Sequence, residues 1–174
     1  MPRLAATLAA SRARFRFVFL HHLVGGAGKD ARGGREAAPF YEWGGKDGCG
    51  NVLFGEKRSG WPLPIHQLLS KHGVQIVFHG HDHLYVKEEL DGMVYQAVPQ
   101  PGHPRYDHTR SADEYGYKSG VIQGSSGHLR VVVQPYKATI SYVRSYLPAD
   151  EAAERRNAAV SHTYDVAPFT KISN

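Results

Sequence analysis

The residues best suited to chemistry lie between Phe78 and His83, which read Phe-His-Gly-His-Asp-His. They continue an apolar run from Val74, rich in β-branched and aromatic residues, that predicts a buried strand. Neutral imidazole is the commonest protein ligand for zinc, iron and similar metals. Because Gly80 lets the backbone bend, we expect the side chains of His81 and His83 to converge on one point. For this pair taken alone, a turn that binds nothing is the alternative.

A second pair of histidines, His21 and His22, follows another apolar run. The segment from Arg14 to Leu20 alternates at first and then becomes wholly apolar, which is typical of a strand in a sheet covered on both faces. In sheets with parallel strands, ligands collect beyond the carboxyl ends of the strands. The sequence therefore predicts one metal site built from both histidine turns. For His21 and His22 alone, a hydrogen-bonded strand end is the alternative.

The elements between the two turns predict a parallel βαβ unit and therefore an α/β fold. Apolar residues at helical spacing, with prolines in the first turn, predict a helix over 61–72. Strand, helix and strand in this order are typical of a parallel crossover. Downstream, Asp91-Gly92 predicts a hairpin that joins strands 84–90 and 93–98.

The rest of the chain predicts elements on both sides of this unit. They are an amphipathic helix at 1–10, strands at 119–123, 129–133 and 138–145, and a charged helical stretch that opens the segment 149–174. The segments 25–60 and 99–118 show no sustained periodicity and are predicted to be loops. If the protein selects a substrate, we expect these loops to determine its selectivity. The alternative is that both loops are disordered insertions.

Composition limits the classes of function. The chain has 174 residues and 41% hydrophobic content, enough for one domain with a core. Its formal charge of +5 is scattered along most of the sequence, so we see no nucleic-acid-binding signature and expect at most mild attraction for anionic substrates. No apolar run is long enough to span a membrane, and a single cysteine excludes an internal disulfide. The composition does not indicate a cellular compartment.

The ordered motifs resemble the calcineurin-like metallophosphoesterases, a family that includes purple acid phosphatases and bacterial phosphodiesterases. The resemblance rests on an apolar strand ending at His21, on Gly-His-x-His at Gly80 to His83, and on Gly124 to Val131 followed by a hairpin. It covers most of residues 14–146. It implies the family's α/β sandwich, here a βαβ unit followed by antiparallel hairpins. The implied activity is metal-dependent hydrolysis of a phosphate ester, either a monoester or a diester.

The resemblance also implies roles for individual residues. His21 and His81 would ligate one of the family's two metal ions, and His83 would ligate the other. His22 would contact a ligand without binding the metal, and Tyr85 would either line the mouth of the site or be an ordinary strand residue. His79 is expected to be a hydrogen-bonded structural histidine. The histidine ligands suit manganese, iron or zinc.

The family's early motifs, Asp-x-His, Gly-Asp-x-x-Asp and Gly-Asn-His, have no counterpart in this sequence. We therefore interpret residues 1–148 as the C-terminal portion of a metallophosphoesterase domain and 149–174 as a charged tail or terminal helix. An N-terminal segment or a partner chain is expected to complete the fold, and the sheet is expected to expose an apolar edge without it. The alternatives are a catalytically inactive metal- or partner-binding module, a one-metal hydrolase or oxidoreductase-type site that uses His21, His81 and His83, and an α/β domain whose histidine turns are coincidental.

Overall fold

Eight strands in two sheets form the framework of the protein in the computed structural model, which describes residues 2–23 and 32–170. The strands are β1 (Phe17–Leu20), β2 (Ile76–His79), β3 (Leu84–Leu90), β4 (Met93–Ala97), β5 (Val121–Gly124), β6 (Gly127–Val133), β7 (Ala138–Arg144) and β8 (Val160–Val166). The helices are α1 (Pro2–Ala10), α2 (Tyr41–Gly44), α3 (Phe54–Lys57), α4 (Ile65–Lys71) and α5 (Ser111–Glu114), and Pro148–Asp150 forms a 3₁₀ turn. The predicted α/β class is confirmed.

The first sheet is mixed, with the strand order β1-β2-β4-β3-β5. β1 and β2 pair in parallel, and α4 lies between them in the chain, so the predicted βαβ unit is confirmed. β3 and β4 form the predicted hairpin. Asp91 and Gly92 both have positive φ angles at its turn, of 51° and 75°, as the favoured two-residue turn requires.

Residues on the two faces of β2 point into different cores. Val77 packs with Leu69 of α4 and with Trp43 of α2 in a layer of helices and loops. Ile76 and Phe78 face the opposite way and pack against the second sheet. β2 is thus buried on both faces, which explains why its sequence is a continuous apolar run and not an alternating one.

The second sheet is antiparallel, with the order β6-β7-β8. The predicted hairpin of β6 and β7 is confirmed. The predicted helical stretch at the start of 149–174 is wrong: a 3₁₀ turn is followed by β8, which pairs with β7. The charges at 151–156 obscured the period-two pattern of β8, in which His162, Tyr164 and Val166 are half-buried between exposed neighbours.

The two segments predicted to be loops contribute to the core. In the described part of 25–60, the short helices α2 and α3 occur, and Ala37, Ala38 and Trp43 are buried. In 99–118, Ala112 and Tyr117 are buried against the first sheet. Residues 24–31, with the glycine-rich start of the first loop, and residues 171–174 of the tail lie outside the described residues. None of the helices in the described ranges has the length and apolarity that a membrane crossing needs.

Two strand valines test the burial of β2. Val77 is fully buried, whereas Val133 at the end of β6 is 55% exposed. Val77→Ala should lower the free energy of unfolding by about 2 kcal/mol, because it removes buried methyl groups and leaves a cavity. The matched change Val133→Ala should alter it by about 0.5 kcal/mol or less. Urea unfolding of both variants measures the difference, and equal effects would contradict the described core.

Candidate metal centre

Three histidines meet at one edge of the first sheet. β1 and β2 end side by side because they pair in parallel, and the amide of Gly80 donates to the carbonyl oxygen of His21 over 3.1 Å. Ring nitrogens of His21, His22 and His81 lie within 4.8 Å of one another. The two histidine turns thus meet at the carboxyl ends of adjacent parallel strands, where ligands collect in such sheets.

The spacing of these rings fits a bound metal ion. Nε2 of His21 lies 3.0 Å from Nδ1 of His81, and the ring centroids of His22 and His81 are 3.9 Å apart. Two nitrogens bound to one tetrahedral zinc ion, at about 2.0–2.1 Å each, are roughly 3.3 Å apart. His22, expected from the resemblance to contact only a ligand, belongs to the group of three.

The electrostatic surroundings favour the metal-binding form of His22. Partial burial lowers its pKa, and the neighbouring rings of His81 and His21 lower it further because two positive charges at this spacing repel. Asp82 acts in the opposite direction. A lowered pKa keeps the imidazole neutral near pH 7, and only the neutral ring can ligate a metal.

The backbone of the histidine turn differs from the expected one. The residues with positive φ are His81, at 77°, and His83, at 54°, and Gly80 is not among them. Residues other than glycine seldom adopt this conformation, which costs free energy and often occurs at functional sites. The bend is therefore made by the histidines themselves.

His83 lies outside the group of three, and its expected role as a ligand stays a prediction. It is exposed, and its carbonyl oxygen accepts a hydrogen bond of 2.6 Å from Ser125 Oγ. The described residues thus bring together His21, His22 and His81, where the resemblance implied His21, His81 and His83.

Tyr85 lies away from the histidine group. It points from β3 towards the second sheet, where its ring stacks on Tyr142 with 4.5 Å between centroids. Its hydroxyl lies 2.6 Å from Nδ1 of His162. Tyr85 was expected either to line the mouth of the site or to be an ordinary strand residue. Its position matches the second expectation.

His79 is a structural histidine, but it is incompletely hydrogen-bonded. It is buried at the end of β2 and stacks on the ring of Tyr117. Its Nε2 has no hydrogen-bond partner among the described residues, contrary to the expectation of a satisfied ring. Burial lowers the pKa of His79 to about 4, so the ring is neutral near pH 7.

Asp82, which was not among the predicted site residues, fixes the histidine turn. Its side chain is buried and accepts hydrogen bonds from Arg32 Nε at 2.8 Å and from the hydroxyl of Tyr117 at 2.7 Å. The guanidinium of Arg32 in turn lies 3.4 Å from the centre of the Tyr115 ring. The sequence signal for this role was an acidic residue between two histidines. Its partners could not be predicted from spacing, because they come from distant segments of the chain.

The same contacts limit what Asp82 can do for a metal. Both of its oxygens are engaged, and no carboxylate belongs to the described group of three histidines. A bridging carboxylate, which a pair of metal ions would need, is thus missing from the described part of this site. The arrangement fits one metal ion with open coordination positions better than two.

Replacing Asp82 should destabilise the protein through its partners. Asp82→Ala leaves the guanidinium of Arg32 and the buried hydroxyl of Tyr117 without an acceptor, so we expect a loss of about 3 kcal/mol in the free energy of unfolding. Asp113→Ala, at an exposed position in α5, is the control and should cost about 0.5 kcal/mol or less. Equal values from chemical denaturation would mean that the Asp82 network contributes little.

Comparison with protein-family models finds no matching family, and comparison with curated proteins finds no match. The most distinctive feature of this chain is a group of three imidazoles, held at the carboxyl ends of two parallel strands by a buried aspartate network.

Proposed function

We propose that this protein is a metal-dependent phosphoester hydrolase of the calcineurin-like type, acting on a phosphate monoester or diester. In this proposal His21, His22 and His81 hold one manganese, iron or zinc ion. The observation that carries it is the convergence of the three ring nitrogens within 4.8 Å at the carboxyl ends of β1 and β2. Three protein ligands with an open position are typical of catalytic metal sites, whereas structural zinc sites have four.

The side chains of this site would each have a defined task. A bound metal would lower the pKa of a water molecule and polarise the phosphoryl group. The three imidazoles would bind in their neutral form, and Asp82 would hold the turn that carries His81. Arg32, paired with Asp82, would support the same turn from the neighbouring segment.

The order of motifs supports a phosphate ester as the substrate. A strand ending in histidine is followed by Gly-His-x-His after a second parallel strand, as in the metallophosphoesterases that the sequence resembles. The mixed sheet packed on an antiparallel sheet is compatible with an α/β sandwich of that type. We infer the family's reaction class from this combination.

The second candidate function is a metal-binding module without turnover. The engagement of Asp82 by Arg32 and Tyr117 favours it, because among the described residues the histidine group then includes no carboxylate that could bridge a second ion. In the described ranges β1 pairs with β2 alone, and Phe19 on β1 is 72% exposed. This edge could accept a further strand from an N-terminal segment or a partner chain that carries the missing carboxylates.

Metal titration tests the site itself. In calorimetry with zinc or manganese, the protein should bind about one ion per chain, and His81→Ala should weaken binding by more than the 10–100-fold that loss of an outer hydrogen bond to a ligand causes. His83→Ala is the matched control, because this exposed histidine lies two residues further along the same turn. Similar losses in both variants would contradict the assignment of ligands.

Turnover separates the two candidate functions. With the same metals added, the protein should hydrolyse p-nitrophenyl phosphate or bis(p-nitrophenyl) phosphate, and His81→Ala should reduce the rate by a factor on the order of one hundred. Stoichiometric binding of the metal without hydrolysis of either ester would reject the hydrolase and favour the binding module. Hydrolysis that is unchanged in His81→Ala would place the activity elsewhere.

A further inference from the structure

Two carboxyl groups, one buried and one half-buried, lie close together beside β3. Glu88 of β3 is only 2% exposed, and its side chain contacts that of Glu36 from the loop segment that follows the first histidines. Ser119 Oγ lies 3.2 Å from Oε1 of Glu36 and 3.3 Å from Oε1 of Glu88, so one hydroxyl faces both acids. Two ionised carboxylates in such contact would repel each other strongly.

The donors around the pair are too few for two carboxylates. The amide of Arg35 donates to Oε2 of Glu88 over 3.0 Å, and the amide of Lys118 donates to Oε1 of Glu36 over 3.3 Å. Oε2 of Glu36 is buried and has no donor among the described residues. A proton shared between the two acids would supply the missing donor and remove the repulsion.

We propose that Glu36 and Glu88 share one proton and form a pH-sensitive latch that fastens the segment 32–36 to the first sheet. The latch is closed while the pair holds its proton. Loss of the proton leaves two negative charges in a buried contact, and the segment then separates from β3.

The latch would act on more than the two acids. The segment it holds begins with Arg32, which donates to Asp82 in the histidine turn. Gly34 allows the close approach, since a Cβ there would lie 1.9 Å from Oε2 of Glu88. Opening the latch would therefore loosen the contact that holds the turn carrying His81.

The other charged groups near the pair come from each of the packed segments. They are Arg32 and Arg35 from the segment 32–36, Tyr117 and Lys118 before β5, Lys87 and Glu89 on β3, Tyr95, which pairs with Glu88 from β4, and Asp82, which contacts Tyr117. Tyr95 is uncharged near neutral pH, because burial raises the pKa of its hydroxyl, and Asp82 is paired with Arg32. Lys87 and Glu89 flank Glu88 on β3 and pair with each other, so neither neutralises the two acids. Tyr117 carries no charge near neutral pH, because burial raises the pKa of its hydroxyl.

The geometry sets the direction of the pH dependence. Burial, followed by the contact with Glu36, raises the pKa of Glu88 to about 8. Because the folded state then binds a proton that the unfolded chain releases above about pH 4.5, this contribution to stability is complete below that pH and is lost as the pH rises through about 8.

Infrared spectroscopy and amide hydrogen exchange of the full chain test the latch. The wild-type protein at about pH 6 should show the carbonyl band of a protonated carboxyl group, and Glu88→Gln should lack it. In the wild type, the amides of residues 33–36 should become about tenfold less protected from exchange between about pH 7 and pH 9, after correction for intrinsic exchange rates. In Glu88→Gln the protection should stay constant, because an amide cannot lose the proton.

The controls keep the result interpretable. Glu89→Gln, at the exposed neighbouring position, should behave like the wild type. If Glu88→Gln does not fold, Glu36→Gln replaces it, since either change removes the repulsion. A wild-type spectrum without the protonated carboxyl band, constant protection in the wild type, or an equal loss in wild type and glutamine variant would each overturn the proposal.

Discussion

The parallel pairing of β1 with β2 is the constraint on which the candidate site depends. It ends two strands at the same edge of the sheet, and one backbone hydrogen bond, from Gly80 to His21, holds the two turns in register. The imidazoles of His21, His22 and His81 meet because of this register. A shift of β1 by one residue would turn its side chains to the other face of the sheet and separate His21 and His22 from His81. The apolar residues of β2, buried on both faces, stabilise the pairing.

The histidine turn also needs support that the strands do not provide. His81 and His83 both adopt positive φ angles, a conformation that costs free energy for residues with a Cβ. Asp82, between them, offsets this cost through its ion pair with Arg32 and its hydrogen bond from Tyr117. The loop segments that bring these partners are therefore part of the site. In the proposed latch, the Glu36–Glu88 contact fastens one of these segments to β3 and links the ionisation of this pair to the stability of the turn.

Much of the fold could be predicted, because its signals are local. The apolar runs of β1 and β2, the helix between them and the Asp91-Gly92 turn gave the βαβ unit and the hairpin. β8 was missed because the charges before it outweighed a weak alternation. Within the site, the residue types predicted that His21 and His81 would meet. The inclusion of His22 in the group and the role of Asp82 depend on side-chain positions and on partners from distant segments, which sequence spacing does not encode.

The central claim is that three imidazoles of this chain ligate one metal ion, and the metal's own coordination shell tests it most directly. X-ray absorption spectroscopy of the zinc-loaded protein reports the number and type of ligands. We expect three imidazole nitrogens at about 2.0–2.1 Å, with oxygen from water completing the shell. The His22→Ala protein should show one imidazole fewer. A shell of oxygen ligands, or a number of imidazoles that His22→Ala does not change, would contradict the proposed centre.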